Sequence, residues 1–238
     1  MPTNLSSSVV LLLIVCQLGA AQASSRLPQW PGHFFSAYWS PGKRTIGVFA
    51  NGLDKSGVSA ELVTLEDGSS DHLCSTYHNN TRCTILTADK WKWLVWPDLA
   101  DCCKCCPISK GCGPLASGWL NNASGNIFYA GITGVDSALG TFQCHKWMVQ
   151  GLDPENPNYY YEHTGANASE GTPCEIDGYN YLYVPSQRAD DQYIFDPSSY
   201  STQPAPTLFD MPDYCKESSF CEGRVCDKPP APIHLLHV

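Results

Sequence analysis

Cys102, Cys103, Cys105 and Cys106, interrupted only by Lys104 and followed by Cys112, are the residues of this chain best equipped for chemistry. Thiols at this density either hold a metal as thiolates or close into disulfides, and the redox compartment decides between the two. Adjacent cysteines on an extended strand point to opposite faces. Cys102 and Cys103 are therefore poorly placed to bond each other or to chelate as one pair, whereas Cys103 and Cys105 share a face. The spacing Cys103-Lys104-Cys105-Cys106 matches a redox-active pair, but such a pair needs a helix N-terminus beside it to acidify a thiol. No helical period flanks it. A zinc-thiolate site is the competing chemistry, and the choice passes to the compartment.

The other candidate groups are sparser. The histidines His33, His72, His78, His145, His163, His234 and His237 are scattered singly or lie in the tail. His145 sits on a clear strand pattern and reads as a buried, hydrogen-bonded side chain, since a lone imidazole lacks a partnered nucleophile. Asp190, Asp191 and Asp196 could offer oxygen ligands to calcium, yet they lack the ordered spacing of a calcium loop and read better as a solvated turn. No G-x-S-x-G elbow, H-E-x-x-H metal site or glycine-rich phosphate loop occurs. The chain therefore reads as a non-enzyme, with no cofactor beyond the option of calcium.

The compartment is legible at the start of the chain. Val9 to Val15 is an apolar run, and Ala21-Gln22-Ala23 forms a small-residue site before Ser24, so residues 1–23 read as a signal peptide cleaved after Ala23. The run falls short of the roughly 20 apolar residues that a membrane-spanning helix needs, and no later segment approaches that length. Of the thirteen cysteines, cleavage removes Cys16 and leaves an even set. A secreted location, extracellular or in the secretory–endolysosomal lumen, favours disulfides for that set. Three N-x-S/T sequons at Asn79, Asn122 and Asn167 agree with it. Cys74 and Cys83 bracket the polar loop around Asn79 and read as a local clip. Cys144 and Cys174 belong to the same set, and Cys215, Cys221 and Cys226 follow the last strand and read as ties between the C-terminal segment and the body.

A formal charge of −9 with scattered Lys and Arg argues against nucleic acid and anionic membrane surfaces as partners. From Thr45 to Phe195 the chain shows short aromatic and β-branched segments broken by Gly, Asn, Asp and Pro, which is strand punctuation. Strands are expected at Thr45–Ala50, Val58–Leu65, Cys83–Thr87, Lys90–Trp96, Asn126–Ile132, Thr141–Gln150, Asn158–His163, Tyr179–Val184 and Gln192–Phe195. Turns are expected at Asn51-Gly52, Asp67-Gly68 and Asp177-Gly178. Only Pro114–Asn122 could pass for a short helix. Ser24–Lys43 reads as an irregular arm or first strand, residues 24–226 as one all-β antiparallel domain, and residues 227–238 as a loose Pro-rich tail.

Alternation gives each strand two faces, and here both are apolar. Trp91, Trp93 and Val95 oppose Leu94 and Trp96; Ile127 and Tyr129 oppose Phe128, Ala130 and Ile132. A sheet wet on one side alternates more cleanly. Something must therefore cover the second face: a loop, a partner chain or an apolar ligand.

The segments Tyr159-Tyr160-Tyr161-Glu162, Gly171-Thr172-Pro173, Tyr193-Ile194-Phe195-Asp196-Pro197 and Phe209-Asp210-Met211-Pro212-Asp213-Tyr214-Cys215 resemble the ependymin-related secreted glycoproteins, above all in the closing Phe209, Pro212 and Cys215. The resemblance spans about Leu62 to Cys215. It implies a curved antiparallel sheet, a half-barrel similar to bacterial lipoprotein carriers, with an apolar pocket on its concave side, hydrophobic ligands such as lipids, dimerisation, and calcium in some members. It also requires Cys215 to be bridged to the central cluster. The cysteine cluster departs from the animal members of the family. The pocket candidates are Trp91, Trp93, Phe128, Tyr129, Trp147, Tyr181 and Tyr183, with the inward parity open. The expected function is binding of a lipid or other hydrophobic ligand without catalysis. The competing expectation is an extracellular structural or adhesive protein acting through self-association.

Overall fold

The computed structural model describes residues 27–110, 112–115, 120, 127–149, 158–165, 171–180, 189–223 and 226. The signal peptide expected at residues 1–23, the tail expected at 227–238, the sequons at Asn122 and Asn167, the aromatics Tyr181 and Tyr183 and most of the helix expected at Pro114–Asn122 lie outside these residues.

Eleven strands form one open antiparallel sheet. In chain order they are β1 (Phe34–Ser40), β2 (Thr45–Leu53), β3 (Ser59–Leu65), β4 (Cys83–Ala88), β5 (Trp91–Trp96), β6 (Asp101–Pro107), β7 (Ile127–Ser137), β8 (Gly140–Val149), β9 (Asn158–His163), β10 (Pro173–Asn180) and β11 (Ala189–Phe195). Their spatial order is β6-β5-β4-β3-β2-β1-β11-β10-β9-β8-β7. Two meanders thus join where β1 pairs with β11, through Tyr38 opposite Phe195. The sheet is curved and unclosed, as expected of a half-barrel.

The curvature separates the two apolar faces. On the inner face one continuous cluster reaches from Cys103 and Leu94 on β6 and β5 through Val63, Phe49 and Phe34 to Tyr160 and Trp147 on β9 and β8. Only the concave side of a bent sheet brings such distant strands into one core. The outer face carries two separate clusters, one on β2–β6 with Leu62, Leu86, Trp93 and Val95, and one on β7–β11 with Val135, Tyr161 and Ile194. Gly47 is required where β2 meets β3, since a Cβ there would lie 1.8 Å from the Thr64 carbonyl oxygen.

Several turn expectations are corrected. Asn51 and Gly52 lie inside β2, paired with Glu61 and Ala60. The chain turns later, over Asp54–Val58, where the Asp54 carboxylate accepts from the backbone N–H groups of Ser56 and Val58 and Gly57 takes φ +76°. Two glycine signals stood close together, and the one with a capping carboxylate before it makes the turn. Asp177 and Gly178 likewise lie inside β10, paired with Gln192 and Asp191. Asp67-Gly68 is a loop without positive φ, its Gly68 N–H donating to the Thr81 carbonyl. Pattern reasoning missed the strand character of the cysteine cluster itself, which is β6. It also missed a six-residue helix, α1 (His72–Tyr77), capped by Asp71.

That cap is also a buried ion pair. Lys43 Nζ lies 2.7 Å from Asp71 Oδ2 and donates to Tyr193 Oη at 3.0 Å, while Asp71 Oδ1 accepts from the N–H groups of Leu73 and Cys74. Burial alone would raise the Asp71 pKa, but the Lys43 charge and these donors outweigh it and hold the carboxyl below its ordinary 3.8. The pair ties α1 to the β1–β2 turn and to β11. Replacing Lys43 with Met strands a buried carboxylate and is expected to cost about 3–5 kcal/mol in denaturant titrations at pH 7. Because the folded pKa is lowered, the wild-type contribution is present above pH 3.8 and is lost as pH falls below it, so the two proteins should converge in strong acid.

Candidate functional site

The cysteine chemistry is settled by strand geometry. The twelve cysteines from Cys74 onward all pair: Cys74–Cys83, Cys102–Cys215, Cys103–Cys221, Cys105–Cys226, Cys106–Cys112 and Cys144–Cys174. Cys102 faces the outer cluster and Cys103, Cys105 and Cys106 the inner one; the alternation holds from Cys102 to Cys105 and breaks at Cys106, where β6 shifts register against Lys92 and Trp93 of β5. The C-terminal strap (206–221) therefore starts on the outer face, is bonded there through Cys215, and crosses the sheet edge. At the crossing Phe220 bridges in parallel to Lys104, the Lys104 N–H donating to the Ser219 carbonyl and the Cys221 N–H to the Lys104 carbonyl. The chain then reaches the inner side at Cys226. Edge strands left bare invite association, and here the strap covers one.

Among the described residues, two groups bring metal-type ligand atoms within 4.8 Å of each other: Cys105, Cys221 and Cys226, and Cys144, His163 and Cys174. Every sulfur in both is in a disulfide, and the thiolate is the ligand form. His163 Nε2 faces the Phe195 carbonyl, and burial pushes its pKa down. The calcium candidates are strung along one strand. Asp190 and Asp191 occupy successive register positions opposite Tyr179 and Gly178, while Asp196, just beyond β11, accepts from Ser198. Six extended residues span about 20 Å, so the backbone places Asp190 and Asp196 far apart along the chain.

The aromatic pocket candidates are likewise divided. Trp93 is buried on the outer face beneath Lys104, whose Nζ lies 5.1 Å from its ring, and Trp91 packs half-buried against Phe220 at 5.2 Å. Trp147 and Tyr129 belong to the inner face. Tyr129 Oη lies 2.9 Å from His145 Nδ1, and Trp147 stacks on Tyr160. Phe128 is 49% exposed on β7. These residues do not share a site.

The concave side, where the resemblance places a pocket, holds the N-terminal arm. Trp30 meets Phe34, Phe49 and Tyr160 edge-on, the Gln29 N–H donates to Glu162 Oε1 and Tyr160 Oη donates to the Gln29 carbonyl. Among the described residues, open space is found on the outer face. Between β3–β5 and the strap is a cleft of about 230 Å³, walled by Leu62, Thr84, Leu86, Val95 and Pro97 from the sheet side and by Leu208, Asp210, Pro212 and Tyr214 from the strap. Sequence reasoning missed these residues because the two walls are more than 100 positions apart. The signals were the Leu62/Leu86/Val95 parity and the Phe209–Cys215 block.

No family model and no curated protein matches the chain.

A second perturbed group stands at the outer face of β10. Glu175, 3% exposed, is pushed up from 4.5 to about 7. Burial is the main cause, opposed by the Gln192 hydrogen bond and reinforced by Asp177. A carboxyl whose folded pKa is raised holds a proton that the unfolded chain has released, so its stabilising contribution is complete below about 4.5 and disappears as pH rises through about 7. Stability should therefore grow on acidification from pH 8 to pH 5, by roughly 2–3 kcal/mol from this group. Glu175→Gln should retain at pH 8 most of the stability that the wild type shows at pH 5, read by urea titration at both values.

Proposed function

We propose that this is a secreted, disulfide-bonded glycoprotein that binds a lipid or other hydrophobic ligand without catalysis, and that it is kin to the ependymin-related glycoproteins. The reading rests on the outer cleft. A sheet apolar on both sides is covered on its outer face by a strap that is fixed through Cys102–Cys215 yet leaves an apolar hollow beneath it. The kinship draws support from the unclosed curved sheet and from the bridge between Cys215 and the central cluster. Six disulfides agree with an oxidising compartment, and among the described residues no helix is long and apolar enough to cross a membrane. Asn79 is exposed in a bend just after α1, where a glycan has room.

Self-association is the second reading, favoured by β7. This eleven-residue strand ends the sheet and exposes Phe128 and Ile132, the latter at 55%.

Ligand-observed NMR with toluene on protein purified from secretion medium, combined with intact-mass measurement under native conditions, tests the proposal. Saturable binding that Leu208→Trp reduces at least tenfold is expected. A bare dimer with no saturable toluene signal, or a signal indifferent to Leu208→Trp, would favour the self-association reading instead.

A further inference from the structure

The outer cleft has a polar side as well as an apolar one, and the pair narrows the ligand. This step rests on the cleft being the binding site. Leu62, Leu86, Val95, Leu208, Pro97 and Pro212 supply apolar walls, while Thr84 from the sheet and Asp210 and Tyr214 from the strap are the residues with polar side chains in the lining.

Size comes first. An apolar cavity of about 150 Å³ accepts benzene, whereas sites for drug-sized ligands begin near 300 Å³. At about 230 Å³ this cleft lies between them. It suits one ring with a short substituent, or a short branched chain, better than a long acyl tail.

Charge comes second. Asp210 is an acceptor-only carboxylate that already holds an ammonium, since Lys55 Nζ lies 2.6 Å from its Oδ2. The lysine side chain is 67% exposed and that of Asp210 36% exposed. An exposed pair of this kind is held weakly, so a ligand ammonium that also buries a ring can displace the lysine. The neighbouring charged groups are Asp98, paired with Arg82, and Asp213, paired with Lys216. Each of these carboxylates is matched by a base, so the rim itself is close to neutral, and it is the net charge of −9 over the whole protein that disfavours an anionic head group.

We infer that the cleft takes a small primary amine carrying a single ring or short branched apolar body, with the ammonium on Asp210 and the ring between Leu86 and Leu208. Tyr214, at the same rim, offers a phenol to a second polar atom of the ligand.

Titrations of the full secreted protein with 4-methylbenzylamine, toluene and dodecanoate, followed by ligand-observed NMR at low salt, test this. The amine is expected to bind about tenfold more tightly than toluene. Asp210→Asn should remove that advantage while leaving toluene binding unchanged, and Leu208→Trp should weaken both. Equal binding of amine and toluene, insensitive to Asp210→Asn, overturns the amine class and leaves the cleft reading intact. Tightest binding by dodecanoate, blocked by Leu208→Trp, likewise overturns the amine class alone. Absence of binding by all three probes, or binding that Leu208→Trp leaves unchanged, overturns both. Leu62→Phe, which narrows the cleft from the sheet side, serves as the second blocking variant should Leu208→Trp fail to fold.

Discussion

A sheet with oily side chains on both faces cannot stand in water unless both faces are covered, and in this molecule one strand anchors cover on each. β6 alternates its sulfurs, with Cys102 turned outward and Cys103 and Cys105 turned inward. The same C-terminal strap is bonded to it from both sides. The bridges span 113, 118 and 121 residues. In the chain-entropy picture the first of them to close removes on the order of 4–5 kcal/mol from the unfolded state. The others then close only short additional loops, so their effects do not sum. Their role is directional: they force the strap over the edge instead of letting it lie on one face.

The inner side is covered differently. Trp30 and the arm around it are held by aromatic contacts and two backbone hydrogen bonds. No bridge ties this arm, so the two covers differ in kind: aromatic packing holds the arm against the inner face, and covalent ties hold a looser lid over the outer one. A lid placed by Cys102–Cys215 and by the short helical turn ending at Phe209 need not fill every space beneath it. The buried charges follow the same division of labour. Lys43 and Asp71 fix the end of the inner core, whereas Glu175 stands in the outer face of the second meander, where burial makes it sensitive near neutral pH.

Much of this was legible in the sequence. Aromatic and β-branched segments bounded by turn residues located β3–β5, β8 and β9 to within a residue at each end, and the start but not the end of β2. The doubled apolar character of Lys90–Trp96 and its neighbours announced that a cover was needed. The local Cys74–Cys83 clip and the tying of Cys215 to the body followed from spacing and resemblance. Other features depended on the third dimension. Asn51-Gly52 and Asp177-Gly178 look like turns by composition, yet strand pairing with Glu61 and with Gln192 overrides that preference. The aromatic candidates were chosen for bulk. Bulk selects core residues, and Trp147 and Trp93 proved to be core on opposite faces. The cleft combines Leu62 with Leu208, and no local pattern relates residues that distant.

The central claim is that β6 is bonded to one strap from both faces, and non-reducing proteolysis with mass spectrometry of the linked peptides tests it most directly. The account predicts Cys102 joined to Cys215, Cys103 to Cys221 and Cys105 to Cys226, with no free thiol among them. Bonds among Cys102, Cys103, Cys105 and Cys106 themselves, or unbonded thiols at Cys215, Cys221 and Cys226, would contradict it.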